Sequence, residues 1–261
     1  MDRLSSDLEL AAQRELGETP QVRRDAVEQL RKLLAEESQL QCPLDEEFLV
    51  KFLRGRKYRV EEAFENIRKY FRVRLEHADI FDNLLPSRIM FDAIFHQNKL
   101  VTLLKKPDSL GRGILLAKFG AWNPTVCPLN EYIRANLVVS ECGLLNQMAQ
   151  IAGVVGVADL DGLKMSHLLY YTPSEIKKII KLIQVRFIGR DYEKLHELIP
   201  RDRLPEEYGG TLDPFDYDDY ERSLRSQENY FVELARYGYR ERHSQNESSD
   251  SERRDRQNIV V

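Results

Sequence analysis

The chain has 261 residues, a net charge of −4 and 42% hydrophobic residues. This length can bury one substantial core and is short for two large domains. The small negative charge gives no general attraction to nucleic acid, and the longest apolar run, Ile151 to Ala158, is too short to cross a bilayer.

Residues 1–80 predict a small helical domain. The apolar residues between 22 and 34 recur at helical spacing with charged residues between them. Two further stretches, 45–57 and 60–75, repeat this spacing. The first of them has acids at its start and bases at its end, as the helix dipole favours. Three amphipathic helices with brief connections are therefore expected here.

From about residue 99 the pattern changes to alternating strands and helices. A turn rich in Pro, Asp and Gly separates two short apolar runs, which indicates a hairpin, and a later continuous apolar run is typical of a buried strand. This order predicts a domain over residues 81–238 of the α/β/α class, with a mixed, mostly parallel sheet covered by helices. The predicted elements are strands 100–104, 114–119 and 154–158 and helices 130–150 and 173–184.

The ends of the chain and its cysteines indicate a reducing compartment. The N-terminus shows no basic start followed by an apolar block, so we expect no secretory signal. Residues 239–261 are almost entirely polar and predict a disordered tail. Cys42, Cys127 and Cys142 are widely spaced and odd in number, which favours small buried apolar side chains over disulfides or a zinc site.

Three segments resemble one family. Residues 48–58, FLVKFLRGRKY, resemble the helical signature that precedes the lipid-binding domain of CRAL-TRIO (retinaldehyde and tocopherol transfer) proteins. The turn 159–162 followed by 172–179 resembles the centre of that domain, and 204–210, LPEEYGG, resembles its closing motif. The resemblance is nearest to the α-tocopherol-transfer and retinaldehyde-binding branch. It implies a carrier that holds one hydrophobic lipid in a closed apolar cavity and exchanges it at membranes.

The same resemblance implies that an internal segment is missing. Helix 173–184 runs directly into 185–188, a strand-like stretch, without the loop that such a junction needs, and about 35 residues of the family pattern are absent after Gln184. In the family this piece is a central strand and the helix that closes the cavity. The alternative function is therefore an isoform with impaired ligand binding that acts as a regulatory or protein-interaction module.

The resemblance also implies which residues line the cavity. Asn136 and Ser140 are polar positions on an otherwise apolar wall, where they could hydrogen-bond a ligand hydroxyl or aldehyde. Ordinary core packing is the alternative for every apolar position. The expected lining residues are Ile133, Asn136, Ser140, Leu144, Val154, Gly156, Ala158, Met165, Leu169, Tyr171, Ile179, Leu182 and Ile183.

Two basic clusters bear on membrane contact. For the cluster between residues 51 and 59 we expect solvated helix faces with ion pairs to the acidic stretch 213–221. For the second cluster, a solvated helix face and contact with anionic membranes or phosphoinositides both remain open, each cation near such a surface being worth about 1 kcal/mol. Its members are Lys177, Lys178, Lys181 and Arg186.

No motif predicts an enzyme, a metal or a cofactor. Nucleophile-elbow, Walker and dinucleotide-binding patterns are absent, and the five histidines are scattered without metal-ligand spacing. His167 follows a turn at the centre of the domain, where we expect a structural hydrogen bond. We expect a monomeric, cytoplasmic, peripherally membrane-associated carrier of a tocopherol, retinoid or phosphoinositide, with this lipid as its ligand and with no nucleic acid partner.

Overall fold

A computed structural model describes residues 6–165, 167, 170 and 192–239 of the chain. The first part is helical, and all three helices expected there from apolar spacing are confirmed. The helices are α1 (Ser6–Leu16), α2 (Pro20–Glu36), α3 (Glu46–Gly55), α4 (Val60–Glu76) and α5 (Ala78–Phe81).

Side-chain caps begin two of these helices. Thr19 Oγ1 accepts a hydrogen bond from Val22 N at 3.1 Å, and Pro20 supplies the fixed φ of the first residue of α2. Asp45 Oδ1 accepts from Phe48 N at 2.8 Å at the start of α3. Both caps satisfy backbone donors that the first helical turn leaves without intrahelical partners.

The second part of the chain combines strands and helices. Its α/β class and mixed sheet are confirmed. A 3₁₀ turn (Pro86–Arg88) and a π-helix (Asp92–Gln97) lead into it. The strands are β1 (Leu40–Gln41), β2 (Val101–Leu103), β3 (Gly113–Lys118), β4 (Val154–Asp159) and β5 (Gly238–Tyr239), and the helices are α6 (Leu129–Gly143), α7 (Gln147–Ala152), α8 (Tyr192–Leu198), α9 (Tyr217–Arg225) and α10 (Glu228–Leu234).

The main sheet has the strand order β2-β3-β4. β2 pairs antiparallel with β3, and β3 pairs parallel with β4. A separate short pair joins β1 to β5, with Leu40 opposite Tyr239. Tyr239, the first residue of the predicted tail, is therefore part of a strand, and residues 240–261 lie outside the described part.

The single helix predicted over residues 130–150 is wrong, because α6 and α7 are two helices with a turn between them. Asn146 Oδ1 accepts from Met148 N at 2.8 Å and begins α7. Gly143, at the end of α6, lies so close to the sheet that an added Cβ would come 3.0 Å from Leu103 Cδ2. The chain turns where this packing and the Asn cap coincide.

The hydrophobic core consists of three clusters. One fills the helical bundle around Leu30 and Phe71, where the C-terminal α10 contributes Leu234. The second packs α6, the π-helix and α9 on one side of the main sheet, which we call the α6 side. The third lies on the other side of the sheet, where Ile114 and Leu116 of β3 meet α8 and the segment after it.

The closing motif at residues 204–210 packs on that opposite side of the sheet. Tyr208 is buried, and its hydroxyl donates to Asp159 Oδ2 at the end of β4 at 3.0 Å. Gly209 has a φ of 69°, and a Cβ at Gly210 would overlap the carbonyl of Leu204. Backbone geometry therefore requires glycine at both positions, which explains the two glycines of the motif.

Candidate functional site

The candidate site is on the α6 side of the main sheet. Leu103 of β2 lies opposite Leu115 of β3, which lies opposite Gly156 of β4. Leu103 and Leu115 both pack against the cluster that contains α6. Side chains alternate between the two sides of a strand. Val154 and Ala158, each two positions from Gly156, therefore lie on the same side of the sheet as Gly156.

α6 packs on β2, and among the described residues nothing buries the β4 residues of this side. Val154 is 43% exposed, and Gly156 and Ala158 are also exposed, whereas Val155 and Val157 are half-buried and pack on the opposite side. The three residues predicted to point inward therefore face the same side as α6, on an open surface.

A cavity of about 200 Å³ lies along the free flank of α6. Three predicted wall residues, Ile133, Asn136 and Ser140, lie together on it. Ile133 and Asn136 are half-buried and Ser140 is exposed. The lining residues are Phe119, Leu129, Tyr132, Ile133, Asn136, Leu137 and Ser140. Val154, Gly156 and Ala158 lie on the same side of the sheet as this cavity, and we call the cavity and these three β4 residues together the α6–β4 trough.

The amide of Asn136 has a defined orientation. Its Nδ2 donates to the backbone oxygen of Tyr132 at 2.8 Å, one turn earlier in α6. A carbonyl oxygen can only accept, so the nitrogen must face Tyr132 and Oδ1 must point away from it. Asn136 Oδ1 is thus the amide atom directed away from the helix backbone and can accept from a ligand, and the Ser140 hydroxyl one turn later can donate or accept.

Two further predicted lining residues, Leu144 and Met165, do not line this cavity. Leu144 follows α6 and is 42% exposed, and Met165 is 79% exposed beyond the end of β4. The other predicted lining residues and the predicted membrane contacts lie outside the described residues. They are Leu169, Tyr171, Ile179, Leu182 and Ile183, and Lys177, Lys178, Lys181 and Arg186.

The sequence interpretation missed four of the lining residues. Leu129 and Leu137 stand four positions before and after Ile133, so the helical repeat could have identified them. Phe119 continues the alternation of Leu115 and Ala117 beyond the end of β3, and its ring meets Tyr132 edge-on at 5.8 Å. Tyr132, which is buried, stands four positions before Asn136 and could have been identified by the same repeat.

His167 has the structural role that the sequence predicts. The ring is buried, its Nδ1 accepts from Lys164 N at 2.8 Å, and its Nε2 donates to Trp122 O at 3.0 Å. Because Nδ1 must accept from a backbone N–H, Nε2 carries the proton. Both ring nitrogens are engaged, so this imidazole has no free nitrogen for chemistry.

The basic cluster at residues 51–59 has other partners than predicted. Arg54 is fully buried and forms two contacts with Glu18, at 2.8 and 2.9 Å, and Arg59 pairs with Glu62 at 3.1 Å. The predicted acidic stretch instead pairs elsewhere, for example Asp219 with Lys105 at 2.6 Å. The prediction that residues 51–59 form ion pairs with the acidic stretch is therefore wrong for Arg54 and Arg59.

All three cysteines are free thiols. Cys127 is buried, whereas Cys42 and Cys142 are half-buried. Burial raises the pKa of the Cys127 thiol to about 11 and that of Cys142 to about 12. All three side chains therefore behave as largely buried, protonated groups, as expected from their spacing.

Fold and trough together define an α/β protein with an apolar trough on one side of its main sheet. Residues 97–190 match the family model of the CRAL/TRIO domain. This match confirms the resemblance noted in the sequence.

Several curated proteins are similar over most of the chain. An alpha-tocopherol transfer protein-like protein from Mus musculus is 28% identical over 267 positions, covering 88% of this chain and 77% of its own length. Clavesin-1 from Xenopus laevis is 26% identical, covering 80% and 74%. Clavesin-2 from Rattus norvegicus is 23% identical, covering 83% and 78%. These similarities support lipid binding and transfer in general.

The mouse alignment also bears on the missing segment. It extends over 267 positions but includes 88% of the 261 residues, about 230, so about 37 positions have no residue from this chain. The alignment gives no positions for them, so a single missing segment stays a prediction. Its location after Gln184 falls outside the described residues and stays a prediction. Among the helices that the structure describes, none is long and apolar enough to cross a membrane.

Proposed function

We propose that the chain binds a small hydrophobic lipid of the tocopherol, retinoid or phosphoinositide type and transfers it between membranes. The observation that carries the proposal is the α6–β4 trough, an apolar surface with two polar groups in a CRAL/TRIO domain. Relatives named for tocopherol transfer support the same class of ligand. Non-enzymatic binding suffices for this activity, and no cofactor is part of the proposal.

The size of the cavity determines how the ligand would lie. Ligand pockets usually enclose about 300–1,000 Å³, so the cavity of about 200 Å³ beside α6 holds only part of a long lipid. The rest would extend over Gly156 and its neighbours on β4. Burial gains about 0.8 kcal/mol per methylene, so about a dozen carbons supply about 10 kcal/mol before the costs of binding.

The polar end of the ligand would lie near Asn136 and Ser140. Asn136 Oδ1 accepts hydrogen bonds, so it favours a lipid with a hydroxyl donor over one with an aldehyde. One such bond discriminates by about 0.5–1.5 kcal/mol. This orientation favours a tocopherol-like or retinol-like head group as the first ligand to test.

Transfer requires contact with a membrane, for which we keep Lys177, Lys178, Lys181 and Arg186 as the proposed basic contacts. Their combined attraction to an anionic surface would be about 1 kcal/mol per cation and would fall with salt. Cosedimentation with phosphatidylserine vesicles at low and high salt, with all four residues changed to Gln, tests this. Salt-independent binding would contradict it.

A second function is favoured by the openness of the trough. The β4 residues Val154, Gly156 and Ala158 are exposed, and the chain lacks positions that its mouse relative has. Both features fit a protein with impaired ligand binding that acts as a regulatory or protein-interaction module. Extraction of lipid from the purified chain and its identification by mass spectrometry separates the two functions. A stoichiometric lipid supports the carrier, and an empty, folded protein supports the module.

Retention of added ligand gives a direct comparison. The chain and a version with about 35 residues inserted after Gln184, the length that the family resemblance implies is missing, are loaded with α-tocopherol, retinal or a phosphatidylinositol phosphate and passed over a desalting column. We expect the chain to retain less ligand than the restored version. Equal retention would show that the absent segment is not needed for binding.

Filling the trough tests the location of the site. No described atom lies within 4 Å of a Cβ placed on Gly156, so Gly156→Leu adds its side chain to the trough without a clash with the described residues. We expect ligand retention to fall at least about tenfold, since a blocked site loses about 1.4 kcal/mol or more. Gly55→Leu, at an equally open position on α3, is the control. Unchanged retention by Gly156→Leu would place the ligand elsewhere.

A further inference from the structure

The side chain of Glu141 joins α6 to the helical bundle and to α10. Its Oε1 accepts from the Tyr70 hydroxyl at 2.7 Å, and its Oε2 accepts from the Tyr230 hydroxyl at 3.0 Å. Each tyrosine oxygen in turn accepts from a cation, Tyr70 from Arg74 Nη2 at 2.8 Å and Tyr230 from Lys51 Nζ at 2.9 Å. Three elements, α3, α4 and α10, thus converge on one carboxylate of α6.

Burial keeps the two tyrosine hydroxyls protonated, so that both can donate to Glu141. It raises the pKa of both tyrosine hydroxyls, with the nearby Glu141 carboxylate as the next cause. The hydroxyls therefore remain donors throughout the neutral range. Burial also lowers the pKa of Lys51. Arg74 lies 3.6 Å from Glu141, so the carboxylate is the acceptor around which the two cations and two hydroxyls are organised.

A second chain of polar contacts reaches the end of the same helix. Arg54 holds Glu18 through Nε and Nη2 and donates through Nη1 to Gln150 Oε1 at 2.8 Å. Gln150 Nε2 donates to Leu144 O, directly after α6, at 2.8 Å. Guanidinium nitrogens only donate, so the orientation of the Gln150 amide is fixed. Both chains of contacts end on the last turns of α6.

These contacts fix the rotation of α6 about its own axis. Glu141 directly follows Ser140, and successive residues of a helix point about 100° apart. Holding Glu141 toward the bundle therefore turns Ser140, and Asn136 one turn earlier, toward the trough. A hydrogen bond to a ligand needs a donor–acceptor distance of about 2.7–3.2 Å, so a small rotation of the helix would break it.

We propose that Tyr70 and Tyr230 are positioning residues for the lipid site, which hold Glu141 so that Asn136 and Ser140 face the ligand. The helical bundle and α10 thereby set the head-group preference of a site that they do not line. This inference rests on the proposed function. Its test must separate a change in selectivity from a general loss of stability.

The test measures binding of α-tocopherol and of its O-methyl ether to the full chain. The ether cannot donate a hydrogen bond, and we expect the wild type to prefer the alcohol by about tenfold. In Tyr70→Phe and Tyr230→Phe we expect this preference to fall to about twofold, while affinity for the ether stays nearly constant. Tyr237→Phe, an exposed tyrosine, is the control.

A second measurement needs no ligand. Cys142 lies beside Glu141 and is half-buried, so its alkylation by iodoacetamide, followed by peptide mass mapping, reports the placement of α6. We expect alkylation of Cys142 to accelerate at least about threefold in both variants, because local opening exposes the thiol. The buried Cys127 is the internal reference and should not change.

The outcomes separate the two hypotheses. Wild-type protein that binds neither lipid would defeat the proposed function and, with it, this inference. A wild type that prefers the alcohol, with variants that keep the same preference or lose affinity for both lipids equally, would overturn the positioning role alone. An unchanged rate at Cys142 would also overturn it. Loss of preference with faster alkylation supports the inference.

Discussion

Removing the buried guanidinium of Arg54 should destabilise the fold strongly. The side chain is fully buried between Glu18 and Gln150, and Glu18 is itself only 7% exposed. Arg54→Met would leave that carboxylate in the interior with its remaining cation, Arg23, at 3.6 Å. Breaking a buried pair by removing one partner costs about 3–5 kcal/mol. We expect a loss of that size in the free energy of unfolding.

Urea unfolding followed by Trp122 fluorescence and by circular dichroism measures this change. Trp122 is the only tryptophan and is buried, so its emission reports the native core. It belongs to the cluster on the α6 side of the sheet, whereas Arg54 belongs to the bundle. Coincident transitions by the two methods would show that both parts unfold together, which is required for a single free energy.

Two further variants identify the cause. Arg54→Met with Glu18→Leu removes both charges, so we expect it to be more stable than Arg54→Met alone, because no unpaired charge remains. Arg14→Met removes an exposed cation paired with Glu15 at 2.9 Å and should cost less than about 1 kcal/mol. A loss below about 1 kcal/mol in Arg54→Met, or an equal loss in the double variant, would refute the reasoning about a buried unpaired charge.

Two other predictions concern the closing motif and the thiols. Gly210→Ala should lower the melting temperature clearly, because the added Cβ would overlap the Leu204 carbonyl. Gly55→Ala, at an open helix end, should not lower it, and equal melting temperatures for the two variants would contradict the steric argument. Burial raises the pKa of the Cys42 and Cys142 thiols from 9.0 to about 12, so both should react with Ellman's reagent at pH 8 far more slowly in the native protein than in urea. The folded state favours the protonated thiol, so the thiol's contribution to stability is present below pH 9 and is lost between pH 9 and about 12. Unfolding measured across this pH range should therefore show a decline in the free energy of unfolding, and no decline would contradict this assignment.

Local patterns predicted the helices, the strands and one wall of the site. The apolar spacing of α2, α3 and α4 and the continuous apolar run of β4 were sufficient, because each reflects burial of one face or one strand. The break after α6 was not visible. Gly143 ends the helix where it meets Leu103, forty positions earlier in the chain, and no local rule brings these two together.

Arg54 shows the same limit for charged residues. In the sequence it lies within a basic stretch, which indicates a solvated helix face. In the structure its partners are Glu18 and Gln150, 36 and 96 positions away, and it is fully buried. Burial of a charge depends on partners that converge only in three dimensions, so a count of neighbouring charges cannot predict it.

The exposed β4 residues of the trough lie outside the hydrophobic core. The bundle cluster, the cluster under α6 and the cluster on the opposite side of the sheet are each buried without the exposed residues of the trough. Loss of ligand contacts along β4 therefore removes no buried contact from these clusters. For this reason a variant that fills the trough, such as Gly156→Leu, should change retention while leaving the unfolding midpoint in place, and a fall in both would indicate that Gly156 supports the sheet itself.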